Sequence, residues 1–249
     1  MDLRLVAFDL DDTLAHSKSA LPADVGAALA ELLELVDVCV ISGGKWGQFE
    51  QQLLGNLPPV RREGLHLMPT CGTRYLTWTD GEWRPVYEHT LPREQREHVA
   101  AVIEREARRL GLWETETWGA VIEDRGTQVT FSALGQKAPL EAKRAWDPTG
   151  VKRIALKNAI APHLPGLDAR AGGSTSVDVT AAGVDKAFGI RKLAEFTGIS
   201  LDEMVFVGDR LDPDGNDRPV LDMGVECIAT SGPEETPAII RALSERARR

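Results

Sequence analysis

Cysteine is scarce in this 249-residue chain: Cys39, Cys71 and Cys227 are its only three, and they lie far apart. With no paired spacing, neither a disulfide framework nor a zinc knuckle is indicated. Cys39, inside Val-Asp-Val-Cys-Val-Ile, reads as a small core residue. Basic residues are also in deficit, 29 Lys and Arg against 38 Asp and Glu, for a formal net charge of −9. Sequence-independent binding to nucleic acid or to anionic membrane needs basic patches, so neither is an expected partner. No uncharged run approaches membrane-spanning length, and Asp2, Arg4 and Asp9 interrupt the region where a secretion signal needs apolar residues. A reducing, cytoplasmic setting is the expectation. What the chain does have is 43% hydrophobic residues, enough at this length for one large or two modest domains with proper cores.

The most informative stretch is Leu5 to Leu14, Leu-Val-Ala-Phe-Asp-Leu-Asp-Asp-Thr-Leu, an apolar run that ends abruptly in three carboxylates. It reads as a buried strand delivering acids to its own end. In an open parallel sheet, ligands bind beyond the carboxyl ends of the strands. Extended chain would turn Asp9 and Asp11 to one side with Leu10 opposite. Like charges so placed call for a cation between them, and all-oxygen ligands favour magnesium. Alone, Asp11-Asp12-Thr13 reads equally well as a polar turn and helix cap.

Further segments extend the pattern. Val25, Leu29, Leu32, Leu33 and Val36 have helical spacing after Pro22, and Val36 to Ile41 is a β-branched run ending at Ser42-Gly43-Gly44. Strand, helix, strand makes a right-handed βαβ unit with parallel strands. Ser42 therefore arrives at the same sheet edge as Asp9, where a hydroxyl and bare glycine amides can hold a phosphate before a helix from Trp46 to Leu54; alone, the tripeptide reads more simply as a strand-to-helix turn in which glycine supplies permissive dihedrals. Leu65 to Met68 and Gly72 to Trp78 read as strands, with a turn at Thr79-Asp80-Gly81. His66 has no partner acid nearby in sequence and is read as structural.

Arg93 to Leu110 is an amphipathic helix, Ala120 to Leu134 a hairpin turning at Gly126, and Val151 to Leu164 a helix with Ile154, Leu156, Ile160 and Leu164 inward. Arg170 to Thr180 follows as one further strand region. This α+β unit is read as an insertion into a parallel-sheet domain. Positive and negative charges balance within 86–184, so all the net negative charge lies in 1–85 and 185–249. After Asp185 a helix resumes with Lys186 in its first turn, against the usual preference for acids there: either the ammonium and the helix amides face one anion, or this is a tolerated surface lysine. Met204 to Val207 is another buried strand, ending in the acid-rich loop from Gly208-Asp209 to Asn216-Asp217. Gly224 to Ala229 reads as a last strand and Glu234 to Arg248 as a terminal helix. The fold class expected is α/β: a Rossmann-like parallel-sheet core, 1–85 with 185–249, carrying an inserted α+β cap, 86–184.

In order and context, Asp9-Leu10-Asp11-Asp12-Thr13, Ser42, Lys186 and Gly208-Asp209 through Asn216-Asp217 resemble the four motifs of the haloacid dehalogenase-like phosphotransferases. The position of the insertion resembles the type with a large C2 cap. The long fourth motif, Phe131-Ser132-Ala133-Leu134-Gly135 and Gly172 to Val179 resemble the phosphomannomutase-like branch. Three positions depart from that branch: Asp12 stands for its glycine, Lys45 for its serine, and Gln136 for an arginine that helps hold a sugar phosphate.

The resemblance implies a site. Asp9 would be the nucleophile and Asp11 the acid–base group. Ser42 and Lys186 would hold the phosphoryl oxygens, with Gly43 and Gly44 beside Ser42. Magnesium would be held by Asp9, Asp209 and the backbone carbonyl of Asp11, with Asn216 and Asp217 completing or orienting its shell. Arg125, Lys143, Arg144, Ser176 and Asp178 are the expected sugar-phosphate contacts in the cap. The partner implied is a small phosphorylated sugar, and caps of this kind can pair two copies across a two-fold axis. Loss of the arginine at Gln136 ranks hydrolysis of a phosphosugar first. The alternatives are a phosphomannomutase interconverting hexose 1- and 6-phosphates and a non-catalytic phosphosugar-binding module.

Overall fold

The computed structural model describes residues 2–249, which form two compact units, one from 2–88 with 185–249 and the other from 89–184. The first opens with β1 (Leu5–Phe8), α1 (Ala23–Leu33) and β2 (Asp37–Ile41). Every residue of β1 is buried: Val6 and Phe8 pack on one side with α1, and Leu5 and Ala7 on the other with Cys39 and Ile41. A strand covered on both faces has no polar face to alternate, which is why its sequence is a continuous apolar run. Leu5, Val6 and Phe8 each contribute about 1.5–3 kcal/mol on burial.

A short α2 (Trp46–Gln48) continues as a π-helical segment, Phe49–Leu54, where the sequence spacing gave a plain helix. Gly55 N–H donates to Glu50 O, five residues back, at 2.8 Å. The wider turn brings Phe49, Gln52 and Leu53 inward together. Next come β3 (Leu65–Met68), β4 (Arg74–Thr79) and β5 (Glu82–Glu88), the last two joined by a turn with Asp80 and Gly81 left-handed. The expected strand start at Gly72 is instead a tight turn in which Thr70, Cys71 and Gly72 are all left-handed, with φ of 50°, 56° and 81°. Non-glycine residues pay for that conformation. It lets the backbone of Gly72 press against the helix that carries Lys186, since a Cβ on Gly72 would lie 2.5 Å from Gly189 Cα.

The second unit contains α3 (Arg93–Arg109), β6 (Ile122–Asp124), β7 (Val129–Ser132), α4 (Leu140–Trp146), α5 (Val151–Ile160), β8 (Leu167–Ala171) and β9 (Ser176–Ala181). Its antiparallel sheet runs β6-β7-β9-β8. One face, with Val129, Phe131, Val177 and Val179, packs on Val99, Val102 and Ile103 of α3 and Leu156 and Ile160 of α5. The other carries a polar row in register, Glu123, Thr130, Asp178 and Arg170, one residue from each strand. Two expectations change here. The single strand region at 170–180 is two strands joined at Gly172–Thr175, and Ile154 lies exposed because α5 buries a narrower stripe.

The first unit resumes with α6 (Lys186–Thr197), β10 (Met204–Gly208), α7 (Arg218–Asp222), β11 (Glu226–Ala229) and α8 (Thr236–Ala247). Its sheet has the order β11-β10-β1-β2-β3-β4-β5, parallel from β11 to β3 and antiparallel beyond. Because β1, β2 and β10 run parallel, the residues following them, Asp9, Ser42 and Asp209, emerge at one edge. The fold class is thus mixed α/β with a parallel-dominated sheet. Among the described residues no helix is long and apolar enough to cross a membrane.

Candidate active site

Asp9 is held one residue past β1 by its N–H, which donates to Val207 O at 3.0 Å and prolongs the ladder with β10. Its carboxylate lies with those of Asp209 and Asp217 so that one oxygen from each falls within 4.8 Å of the others. Lys186 enters this group with its side chain fully buried. Its Nζ donates to Asp9 Oδ1 and to Asp217 Oδ1, both at 2.5 Å, and lies 5.9 Å from the centre of the Phe206 ring. The lysine in the first turn of α6 is therefore neither a surface charge nor directed at solvent. Asp185 caps that helix by accepting from Phe188 N–H at 2.8 Å, and so fixes where Lys186 begins.

Asp217 is held from the other side. Its Oδ2 accepts the N–H of Arg210 at 3.0 Å, and its own N–H donates to Arg210 O at 3.1 Å, closing the acidic loop on itself. Gly208 has no room for a side chain, since a Cβ there would collide with this carboxylate and lie 2.7 Å from the Phe206 ring. Asp212, in the same loop, pairs instead with Arg210 at 2.7 Å and accepts from Asp214 N–H. Asn216 is half-buried beside Asp217. Thr13 donates to Asp209 Oδ1 at a long 3.4 Å.

Burial pushes the Asp9 carboxyl well above its ordinary value, helped by Asp217 and Asp209 and opposed by Lys186. Asp209 is pushed up to about 6, by burial first and then by Asp217. Burial acts to lower the Lys186 ammonium, but Asp217 and Asp9 outweigh it and raise it, so this group stays charged. Three carboxylates against one ammonium leave an excess of negative charge, and every donor in the group is a hard oxygen. That combination fits magnesium. A carboxylate with a raised folded value contributes stability that is present below its ordinary 3.8 and lost as pH rises through about 6. A divalent cation offsets that loss. Magnesium is therefore expected to raise the melting temperature more at about pH 7.5 than at about pH 5, read from thermal melts with and without the ion; equal shifts would contradict a shared cation.

Asp11 departs from the sequence expectation. Regular strand ends at Phe8, and the loop that follows folds back, with Leu14 and Ala15 N–H donating to Leu10 O and Asp12 left-handed at φ 61°. The Asp11 carboxylate is consequently not one of the three clustered acids. It accepts from Gln48 Nε2 at 2.8 Å, Gln52 Nε2 at 3.2 Å and Lys18 N–H at 2.9 Å. Gln48 and Gln52, themselves joined at 2.9 Å, were not anticipated. The readable signal was two glutamines four apart following Ser42-Gly43-Gly44.

Ser42 is buried; its Oγ accepts Gly44 N–H at 3.1 Å, and its carbonyl accepts Cys71 N–H at 2.9 Å. The glycine loop thus closes on the hydroxyl. His66 does have a partner acid: Nε2 is 3.6 Å from Asp37 Oδ2, and Nδ1 is 2.8 Å from the Tyr75 hydroxyl, a pairing between adjacent strands that the linear sequence hides.

In the second unit, Arg125 pairs with Glu123 at 2.9 Å and is nearly buried. Asp178 accepts the Thr130 hydroxyl at 2.7 Å, with Ser176 two residues earlier on the same strand. Lys143 and Arg144 belong to α4, a helix the sequence reading did not contain. Lys143 Nζ donates to Gln136 O at 2.9 Å, and Arg144 is exposed.

Solved structures share this fold. The chain is similar to IMP-nucleotidase of Plasmodium falciparum bound to IMP, with a TM-score of 0.71, 14% identity, and coverage of 98% of this chain and 68% of that one. It is also similar to a haloacid dehalogenase-like hydrolase from Bacteroides thetaiotaomicron (TM-score 0.62, 16% identity, 97% and 100% coverage). A third is a trehalose-6-phosphate phosphatase related protein (TM-score 0.55, 15% identity, 97% coverage of each chain). A family model described as haloacid dehalogenase-like hydrolase matches residues 147–224, the part that carries Lys186, Asp209 and Asp217. No curated protein sequence matches the chain. The chain thus shares its fold with these structures, and residues 147–224 match the haloacid dehalogenase-like hydrolase model.

Proposed function

We propose that the protein is a magnesium-dependent phosphomonoester phosphatase that acts on a small phosphorylated sugar through an aspartyl phosphate on Asp9. The observation that carries this reading is the buried ammonium of Lys186 between Asp9 and Asp217, with Asp209 completing the acid group. In this reading Asp9 attacks phosphorus in line, and the sugar oxygen leaves with a proton from Asp11. Asp11 then takes a proton from the water that attacks the acyl phosphate, its carboxylate oriented by Gln48 and Gln52. Ser42 and Lys186 hold the non-reacting phosphoryl oxygens, where charge is spread in the transition state. Magnesium, held by Asp9, Asp209 and Asp217 with Asn216 and the Asp11 carbonyl in support, would neutralise enough charge for a carboxylate to approach a phosphate dianion.

The second unit supplies recognition of the sugar in this reading, through Arg125, Lys143, Arg144, Ser176 and Asp178. A hydrolase rather than a mutase is supported by the hydrolase family match and by Gln136 in place of an arginine. The test is phosphate release from a panel of hexose 1- and 6-phosphates, with magnesium and with chelator. Magnesium-dependent release is expected. Isomerisation that needs a hexose bisphosphate and releases no phosphate would overturn the assignment.

A further inference from the structure

One arginine in the second unit holds a turn that the sugar-binding reading depends on. Arg153, in the first turn of α5, pairs through Nε with Asp147 Oδ2 at 3.0 Å. Its Nη1 donates to Gly172 O at 2.9 Å and also to Gly173 O. Asp147 is buried and accepts the N–H groups of Lys152 at 3.1 Å and Arg153 at 3.0 Å, so one carboxylate satisfies the start of α5 and anchors the guanidinium.

The two carbonyls belong to the turn between β8 and β9, where Gly172 N–H also donates to Ser176 O at 2.9 Å. Over Gly172 stand two polar side chains. A Cβ there would be 2.9 Å from Ser176 Oγ and 2.8 Å from Asp178 Oδ2, so the absent side chain leaves their space. The other Asp178 oxygen is held by Thr130, and Thr130 in turn accepts from Gln128 Nε2 at 2.9 Å. Asp178 is thus fixed from the sheet on one side and limited by the turn on the other.

We propose that Arg153, anchored by Asp147, is a positioning residue for ligand recognition: by clamping the Gly172–Gly173 turn it sets Ser176 and Asp178 for a hydroxyl-bearing phosphate ester. The inference rests on the phosphosugar reading above. A guanidinium suits this task because its rigid fork reaches the carbonyls and the carboxylate at once, which a lysine ammonium does not. A simple structural brace would behave differently, since its loss would weaken turnover of every substrate alike.

The test compares a hexose 6-phosphate with 4-nitrophenyl phosphate, which offers no hydroxyls, in the full chain with magnesium. In Arg153→Ala, kcat/KM for the hexose phosphate is expected to fall about tenfold to a hundredfold, mainly through KM, while that for 4-nitrophenyl phosphate stays within about twofold. Arg153→Lys is expected to recover only part of the loss. Asp147→Asn weakens the anchor of the guanidinium but keeps an oxygen to accept the N–H groups at the start of α5, so a smaller loss confined to the hexose phosphate is expected, and it tests the clamp if Arg153→Ala does not fold. Equal losses on both substrates, or no loss, in folded variants would overturn the proposal. A wild-type protein that cleaves 4-nitrophenyl phosphate but no hydroxylated ester would overturn it too. A wild type without any phosphatase activity would overturn the hydrolase reading first, and this inference with it.

Discussion

Asp9→Asn is expected to lower phosphate release by about a thousandfold or more while leaving the protein folded. Asparagine fills the same space just past β1 and keeps the backbone bond to Val207. Lys186 retains Asp217 as its ion-pair partner, and the repulsion among three clustered carboxylates falls by one member. What disappears is the nucleophilic oxygen, and an amide does not form the acyl phosphate. Steady-state phosphate release measures the first effect and a thermal melt the second. A variant with near wild-type turnover would remove Asp9 from its proposed role.

Lys186→Met is expected to cost both stability and activity. Its ammonium is the shared partner of Asp9 and Asp217, and its side chain is fully buried. Removing one partner of a buried ion pair leaves the other charge without compensation, at a cost of about 3–5 kcal/mol. Urea unfolding near pH 7.5 in chelator should show a loss of this size. Saturating magnesium should recover part of it, because a cation among the same carboxylates takes over some of the lost charge. Lowering the pH should recover part as well: the Asp9 and Asp209 carboxyls, already raised by burial and by neighbouring acids, are pushed higher without the ammonium and are protonated earlier on acidification. Activity should stay low under both conditions, since the phosphoryl oxygens lose a contact in this reading. A stability loss below about 1 kcal/mol would show that the pair is not the electrostatic centre of the site.

The parallel sheet was readable because β1 and β10 are covered on both sides and therefore written as continuous apolar runs, with β2 and β3 broken only by Asp37 and His66. What escaped was local backbone geometry. Alternation extended past Phe8 turned Asp11 toward Asp9, but a left-handed Asp12 and a back-folded loop send its carboxylate to Gln48 and Gln52. The π-helical turn at Phe49–Leu54 could not be told from an α-helix, because both keep apolar residues three and four apart. Ala171-Gly172-Gly173-Ser174-Thr175 interrupts what looked like one strand, and only the pairing of β8 with β9 shows the turn.

For the candidate site, sequence placed Asp9, Ser42 and Asp209 at strand ends, and parallel topology brings strand ends to one edge whatever their separation in the chain. Lys186 was legible only as an oddity at the start of a helix. Its burial between Asp9 and Asp217 depends on how α6 seats against the Thr70–Gly72 turn, which no periodicity encodes. The Asp37–His66–Tyr75 pairing was hidden for the same reason, since it joins residues on three different strands.

The central claim is that a carboxylate at the end of β1 carries the phosphoryl group during turnover. The most direct measurement is an acid quench during turnover of a radiolabelled phosphosugar, followed by peptide mapping of the protein. The account predicts an alkali-labile acyl phosphate on Asp9. Label on any other residue, or none when hydrolysis of the intermediate is made rate-limiting, would contradict it.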